Sequence, residues 1–170
     1  TKQAGDFVVC NLSSINLGRA ILPQDDQGDL ITDVLERLVP IQVRMLDNVL
    51  DAAVWPLPQQ ADEARHKRGI GLGFTGLGDA LVMLGLHYDS DAARERARRI
   101  AEVMRDAAYD ASVELARERG AFPLFNADLY LSGSNFASRL PQALKDRIRA
   151  SGLRNSHLLS IAPTGTISLA

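Results

Sequence analysis

A single cysteine among 170 residues leaves the chain without an internal disulfide, since Cys10 has no second thiol to meet. Cys10 is then either a free thiol of a reducing, cytoplasmic compartment or the partner of a cysteine elsewhere. A basic excess is also missing. Nineteen Lys and Arg stand against 21 Asp and Glu, a net charge of -2, whereas nucleic-acid surfaces usually need the opposite balance. No apolar run approaches the ~20 residues of a membrane span. The polar start Thr1-Lys2-Gln3-Ala4-Gly5-Asp6 lacks the apolar core of a signal peptide. Neither nucleic acid nor membrane is therefore expected as a partner. Metal-ligand spacing is absent too: His66, His87 and His157 stand apart and have no cysteine neighbours. There is no initiator Met, and the chain stops at Ile167-Ser168-Leu169-Ala170, directly after a turn-like Pro-Thr-Gly. A piece of a longer polypeptide is expected, with residues 1–170 forming part of one domain.

What is present is an ordinary globular composition, 46% hydrophobic and 24% charged, sufficient for one core. Phe7 to Leu12 is apolar and β-branched, and reads as a short buried strand leaving through a polar loop from Ser13 to Gly18. Pro23 to Gly28 reads as an exposed turn. From Leu30 to Ala53, apolar residues recur at steps of mainly three and four (Ile31, Val34, Leu35, Leu38, Ile41, Leu46, Val49, Leu50), predicting a helix capped by Asp29 and kinked or divided at Pro40. Gln59 to Arg68 is polar and reads as a solvated connector. Ile70 to Gly85 is apolar and glycine-rich. Its second half predicts a buried helix, and its first-half glycines would permit close approach of another backbone.

The strongest helix is expected from Asp91 to Arg119, capped by Ser90 and stopped at Gly120. Its inner stripe is Ala93, Ala97, Ile100, Met104, Ala107, Ala111 and Leu115. Arg94, Glu95, Arg98, Glu102, Arg105 and Asp106 form a wet, self-pairing face. Ala121 to Phe125 reads as an apolar loop, 126–140 as irregular, and Pro141 to Ser151 as a short helix. Leu158 to Ala162 is read as a second buried strand, followed by Pro163-Thr164-Gly165-Thr166. The layout is that of an α/β protein, predominantly helical with few strands.

Three features carry candidate chemistry. Gly71-Leu72-Gly73-Phe74-Thr75-Gly76 fits G-x-G-x-x-G, but Arg65-His66-Lys67-Arg68-Gly69 precedes it instead of a buried strand, and Asp91 opens a helix where the acidic residue should close a second strand. Helix packing is the expected role. Cys10 is either a small core hydrophobe or a redox thiol facing a cavity. Ala162-Pro163-Thr164-Gly165-Thr166-Ile167-Ser168 offers hydroxyls, a glycine and consecutive backbone N–H groups after a strand. It is either an anion-holding turn without the lysine of a P-loop, or a plain hydroxyl-rich turn.

Five segments occur together in one order: Cys10-Asn11-Leu12-Ser13-Ser14-Ile15-Asn16-Leu17, Arg68 to Gly73, Gly120 to Phe125, Leu153-Arg154-Asn155-Ser156, and Ser160-Ile161-Ala162-Pro163-Thr164-Gly165-Thr166-Ile167-Ser168. In that order the chain resembles the C-terminal part of the catalytic barrel of ribonucleotide reductase large subunits, and its last segment resembles the adenosylcobalamin-dependent class. The resemblance implies a fragment of a ten-stranded α/β barrel. It implies a parent oxidoreductase that replaces the ribose 2′-hydroxyl of a nucleoside di- or triphosphate with hydrogen, for DNA synthesis. Cys10 would be one of two redox cysteines, its partner lying upstream with the radical cysteine. Thr164, Gly165, Thr166, Ile167 and Ser168 would hold the substrate phosphates. The implied cofactor is adenosylcobalamin, not bound by this fragment alone. The implied partners are the nucleotide, a thioredoxin- or glutaredoxin-type reductant and the rest of the catalytic subunit. Alone, the fragment is expected to be inactive. The competing expectation is a helical protein-interaction module that docks through Asp91–Arg119 and has no catalytic role.

Overall fold

The computed structural model describes residues 7–9, 11–20, 29–167 and 169. Cys10, Ser168, the turn expected over Pro23 to Gly28 and the capping side chain expected at Asp29 lie outside the described residues.

Two long helices make the body. The first, α1, spans Asp29–Ala52, and α4 spans Asp91–Arg119; they form the largest packed contact. Helix α1 runs through Pro40 without a break in assignment. Pro40 is exposed, so the hydrogen bond that its ring forfeits lies on the solvent side of the helix. The buried stripe of α1 is Ile31, Leu35, Val39, Val43, Leu46 and Leu50, at steps of four and three. This corrects the expected stripe: Leu38, Ile41 and Val49 face outward, and the two valines replace them. A continuous run of apolar residues leaves two stripes possible, and packing against α4 selects one.

Helix α4 starts where Ser90 Oγ accepts from Ala93 N–H at 3.1 Å and stops at Gly120 (φ 86°), as its sequence indicates. Its second half is buried on more than one side (Ala108, Tyr109, Ala111, Ser112, Val113, Leu115, Ala116), because α1, the segment near Asn155 and the short helix α6 (Gln142–Ser151) all pack on it. Its outer arginines are paired: Arg94 with Asp89 and Asp91, Arg98 with Glu95 and Glu102, Arg117 with Glu114.

The polar stretch expected to be a connector is a helix, α2 (Pro58–Lys67). Pro58 opens it, Gln60 Oε1 accepts from Leu57 N–H at 3.2 Å, and an Asp62–His66 contact at 2.9 Å and a Glu63–Lys67 ion pair join successive turns. Polarity hid it. Its one buried residue is Ala64, so it carries no apolar stripe.

The strands also differ from expectation. Strand β1 is Leu12–Asn16, so the residues expected to form the exit loop form the strand, and Phe7 and Val8 are exposed. Its partner, β2, is Gly71–Thr75, the glycine-rich half of the stretch, for which close backbone approach but no strand was expected. The two pair in parallel, Leu12 with Gly71 through Asn16 with Thr75. The expected strand Leu158 to Ala162 contributes a single parallel bridge, Leu159 to Leu72, on the other side of β2. The following helix, α3 (Leu77–Met83), buries only Ala80 and Leu81, while Val82 is 74% exposed; it is not the wholly buried helix expected. Helix α5 (Ala127–Leu131) and a 3-10 turn at Ala137–Arg139 occupy the stretch read as irregular. Helix α7 (Thr164–Ile167) is one turn long.

Ile15 and Leu72 join the core with α1 and α4, so helices cover one face of the sheet. By the alternation of side chains along a strand, Leu12, Ser14 and Asn16 of β1 and Gly71, Gly73 and Thr75 of β2 share the opposite face.

Candidate functional site

That opposite face is built for close approach. A Cβ on Gly71 would stand 2.3 Å from Leu12 Cδ2 and 2.8 Å from Ser160 Oγ, and one on Gly73 would stand 2.1 Å from the Ser160 carbonyl oxygen. The glycines therefore make room for the backbone at Ser160 to lie over β2, as their number led one to expect. The packed partner is a strand and a crossing segment instead of a helix. Leu12 lies two residues after Cys10, and Ser160 lies four before Thr164. Both meet at Gly71, so the two candidate segments converge on one patch of one face.

Beyond Ser160 the chain buries Ala162 and then emerges. Pro163 to Ile167 are exposed, with Ile167 N–H donating to Pro163 O at 3.2 Å and Thr166 Oγ1 to the same oxygen at 3.2 Å. A Cβ on Gly165 would meet nothing within 4 Å, and its φ lies outside the left-handed region. The fold does not require glycine there. At the start of β1, a groove of about 440 Å³ is lined by Val9, Asn11, Leu12, Gly71 and His157 among others, which places both chain neighbours of Cys10 on its wall. Asn11 Nδ2 donates to Leu46 O at 2.7 Å and ties this entry to α1.

Sequence reasoning missed the polar cluster beneath the site. Asp47 of α1 is fully buried. Its Oδ1 accepts from Arg68 Nε at 2.8 Å and Asn155 Nδ2 at 3.1 Å, and its Oδ2 accepts from Arg119 Nη1 at 3.2 Å and Arg154 Nε at 3.3 Å. Arg68 also donates to both oxygens of Asp51 and to Asp47 O. Burial opposes ionisation of Asp47, but the hydrogen bonds and charge of Arg68, then of Arg154, outweigh it and hold the carboxyl below the usual carboxylate range. Burial likewise opposes the charge on Arg68, and Asp51 and Asp47 overcome it, so its pKa is raised. Ser112 Oγ donates to Asn155 Oδ1 at 3.0 Å and accepts from Asn155 N–H at 3.1 Å. Arg68 caps α2 in the left-handed conformation (φ 48°).

The arrangement can anchor strand ends and leave an exposed, hydroxyl-bearing turn three residues beyond the Ser160 contact with the glycine-lined face. Among the described residues no group of His, Cys, Asp and Glu is placed to hold a metal ion. No helix of the described residues is long and apolar enough to cross a membrane.

Comparison with known proteins bears on the same residues. The chain matches the family model for the ribonucleotide reductase barrel domain over residues 1–170. It is 41% identical over 160 residues to a vitamin B12-dependent ribonucleoside-diphosphate reductase of Mycobacterium tuberculosis, covering 94% of this chain and 20% of that relative. It is 36% identical over 174 residues to a ribonucleoside-diphosphate reductase subunit alpha of Treponema pallidum, covering 99% and 20%. A subunit of the same name from Helicobacter pylori is 32% identical over 186 residues, covering 97% and 22%. The chain thus spans about a fifth of the length of these relatives. Two parallel strands with a third segment bridged to β2, helices on one face and a match along all 170 residues agree with one assignment: the chain belongs to the ribonucleotide reductase barrel-domain family and forms part of its α/β barrel.

Proposed function

We propose that these residues form one wall of the substrate chamber of a ribonucleotide reductase. The parent polypeptide would reduce a ribonucleoside di- or triphosphate, and Cys10 and the turn Thr164-Gly165-Thr166-Ile167-Ser168 would serve as redox thiol and phosphate cradle. The observation that carries this reading is the meeting of Leu12 and Ser160 over Gly71, which sets the segment after Cys10 and the segment before Thr164 on one face.

The chemistry needs both. Reduction at C2′ breaks the C2′–O bond, releases the hydroxyl as water and forms a C2′–H bond. Two electrons and two protons come from two thiols, which end as a disulfide. Cys10 supplies one thiol and an upstream cysteine the other. A thioredoxin- or glutaredoxin-type dithiol restores the pair. The phosphates are held by backbone N–H groups and hydroxyls of the turn. Adenosylcobalamin, suggested by the B12-dependent relative, would supply the radical chemistry of the parent. Its binding is assigned to the complete polypeptide and not to this fragment alone.

Two substitutions in the parent enzyme test the reading. Cys10→Ser is expected to abolish multiple turnover with a dithiol reductant, and full retained turnover removes the thiol assignment. Gly165→Val is expected to raise the nucleotide KM about tenfold or more by blocking backbone approach. A Cβ at this position meets nothing within 4 Å among the described residues, and an unchanged melting temperature of the parent variant would separate an effect on the ligand from one on the fold. An unchanged KM removes the cradle.

A further inference from the structure

The segment that leads to the candidate phosphate-binding turn is held to residues 67–72, the run that enters β2, by a series of bonds whose first is a side chain's. Asn155 Nδ2 donates to Arg68 O at 3.1 Å. Beyond it, Ser156 N–H donates to Lys67 O at 3.0 Å, Ile70 N–H to His157 O at 3.0 Å, Leu72 N–H to Leu158 O at 2.7 Å, and Ser160 N–H to Leu72 O at 3.0 Å. The backbone rungs are generic, since a parallel ladder offers the same bonds after a slip of two residues. Glycine-rich strands specify register weakly, and a slip that carries Ser160 from Gly73 toward Gly71 meets no side chain.

Asn155 is not generic. It is fully buried, and its amide spans Asp47 Oδ1, the Arg68 carbonyl and Ser112 Oγ, while its own N–H reaches Ser112 Oγ. A two-residue slip would bring Leu153 or His157 to that place. Leucine supplies no donor to Asp47, and an imidazole does not match the paired donor and acceptor of an amide. A slipped register therefore leaves a buried carboxylate and a buried hydroxyl short of partners.

We propose that Asn155 is a positioning residue of the substrate site: by locking the register of residues 156–160 on β2, it sets where the Pro163 to Ile167 turn stands against the glycine face. This rests on the phosphate-binding reading above. A slip would carry the turn roughly 6–7 Å along the strand direction, at about 3.3 Å per residue.

The test uses the full-length parent enzyme. Asn155→Ser removes the amide, and Ser112→Ala, a milder change, removes one donor and one acceptor from it. Ile148→Val trims a fully buried side chain of α6, outside the ladder, and serves as the matched loss of stability. Asn155→Ser is expected to raise the nucleotide KM by about tenfold with kcat within about threefold, and Ser112→Ala to raise it several-fold, since small misplacements of binding groups are costly. Hydrogen exchange at the Leu72 and Ser160 amides should quicken in both variants ahead of exchange in α6. Ile148→Val should lower the melting temperature and move neither KM nor those two amides. If Ile148→Val reproduces the KM change, or if exchange at Ser160 stays at the wild-type rate in Ser112→Ala, the proposal is overturned. Should Asn155→Ser not fold, Ser112→Ala decides on the same criteria. An unmoved KM in Gly165→Val overturns the phosphate reading and the role of Asn155 with it, whereas an unmoved KM in Asn155→Ser beside a raised one in Gly165→Val overturns the role alone.

Discussion

Asp47 carries a negative charge where water does not reach, and four side chains from three other parts of the chain answer it. Its folded-state pKa lies below its unfolded value, so the stability it contributes is present above the ordinary carboxylate range. That contribution is lost as the pH falls through the lowered value. Asp47→Asn keeps the shape and removes the buried charge, while Arg68 retains Asp51; the loss is expected below the roughly 3–5 kcal/mol of a fully unpaired buried charge. Denaturant titration of the parent at neutral pH, followed by exchange at α1 and β2 amides, should show that loss. The gap between Asp47→Asn and wild type should narrow below the carboxylate range; a gap independent of pH would remove Asp47 as the charged centre. None of this was legible in the sequence. Asp47 falls between two apolar positions of a helix, and Ser112 follows Ala111 outside the expected stripe of α4; both looked like ordinary helix residues. Arg68 and Asn155 were visible only as parts of the segments that carry the family resemblance, because their partners lie 21 and 43 residues away along the chain.

Among the elements, α4 is the one whose limits the sequence states most plainly. A serine cap, a three-four stripe and a closing glycine agree with one another, and local signals that agree need no tertiary help. Ser90→Ala is expected to cost about 1 kcal/mol at the first turn of α4. Amides near Ala93 should then exchange about fivefold faster in the parent, and a rate unchanged there would show that the first turn is held from elsewhere. Strand β2 is the opposite case. Glycines lower strand propensity, so Gly71 to Thr75 reads poorly as a strand; what makes it one is the close passage of Ser160 above and β1 beside it. Helix α2 escaped notice because side-chain contacts and a proline start, not an apolar stripe, support it. The candidate turn at Pro163 was legible as hydroxyl-rich, but the course of the segment leading to it depends on the Leu72–Leu159 bridge, which no local pattern encodes.

For the molecule as a whole, the exposed apolar stripe of α1 matters most. Leu38, Ile41, Met45 and Val49 recur at steps of three and four, each between 42% and 64% exposed. Isolated, the 170-residue chain is expected to self-associate at micromolar concentration, since contiguous apolar surface of this kind seeks cover. Size-exclusion chromatography of Ile41→Lys with Val49→Lys should show a larger monomer fraction, and an already monomeric parent sequence would refute the expectation. The parallel pairing has a temporal consequence as well. Arg68 and Asn155 are 87 residues apart, so during synthesis at about 5–20 residues per second β2 waits several seconds or more for its second neighbour. Helices α1 and α4 are both complete by then. The glycine strand is accordingly among the last parts of this region to close, and whatever shields it on the ribosome acts in that interval.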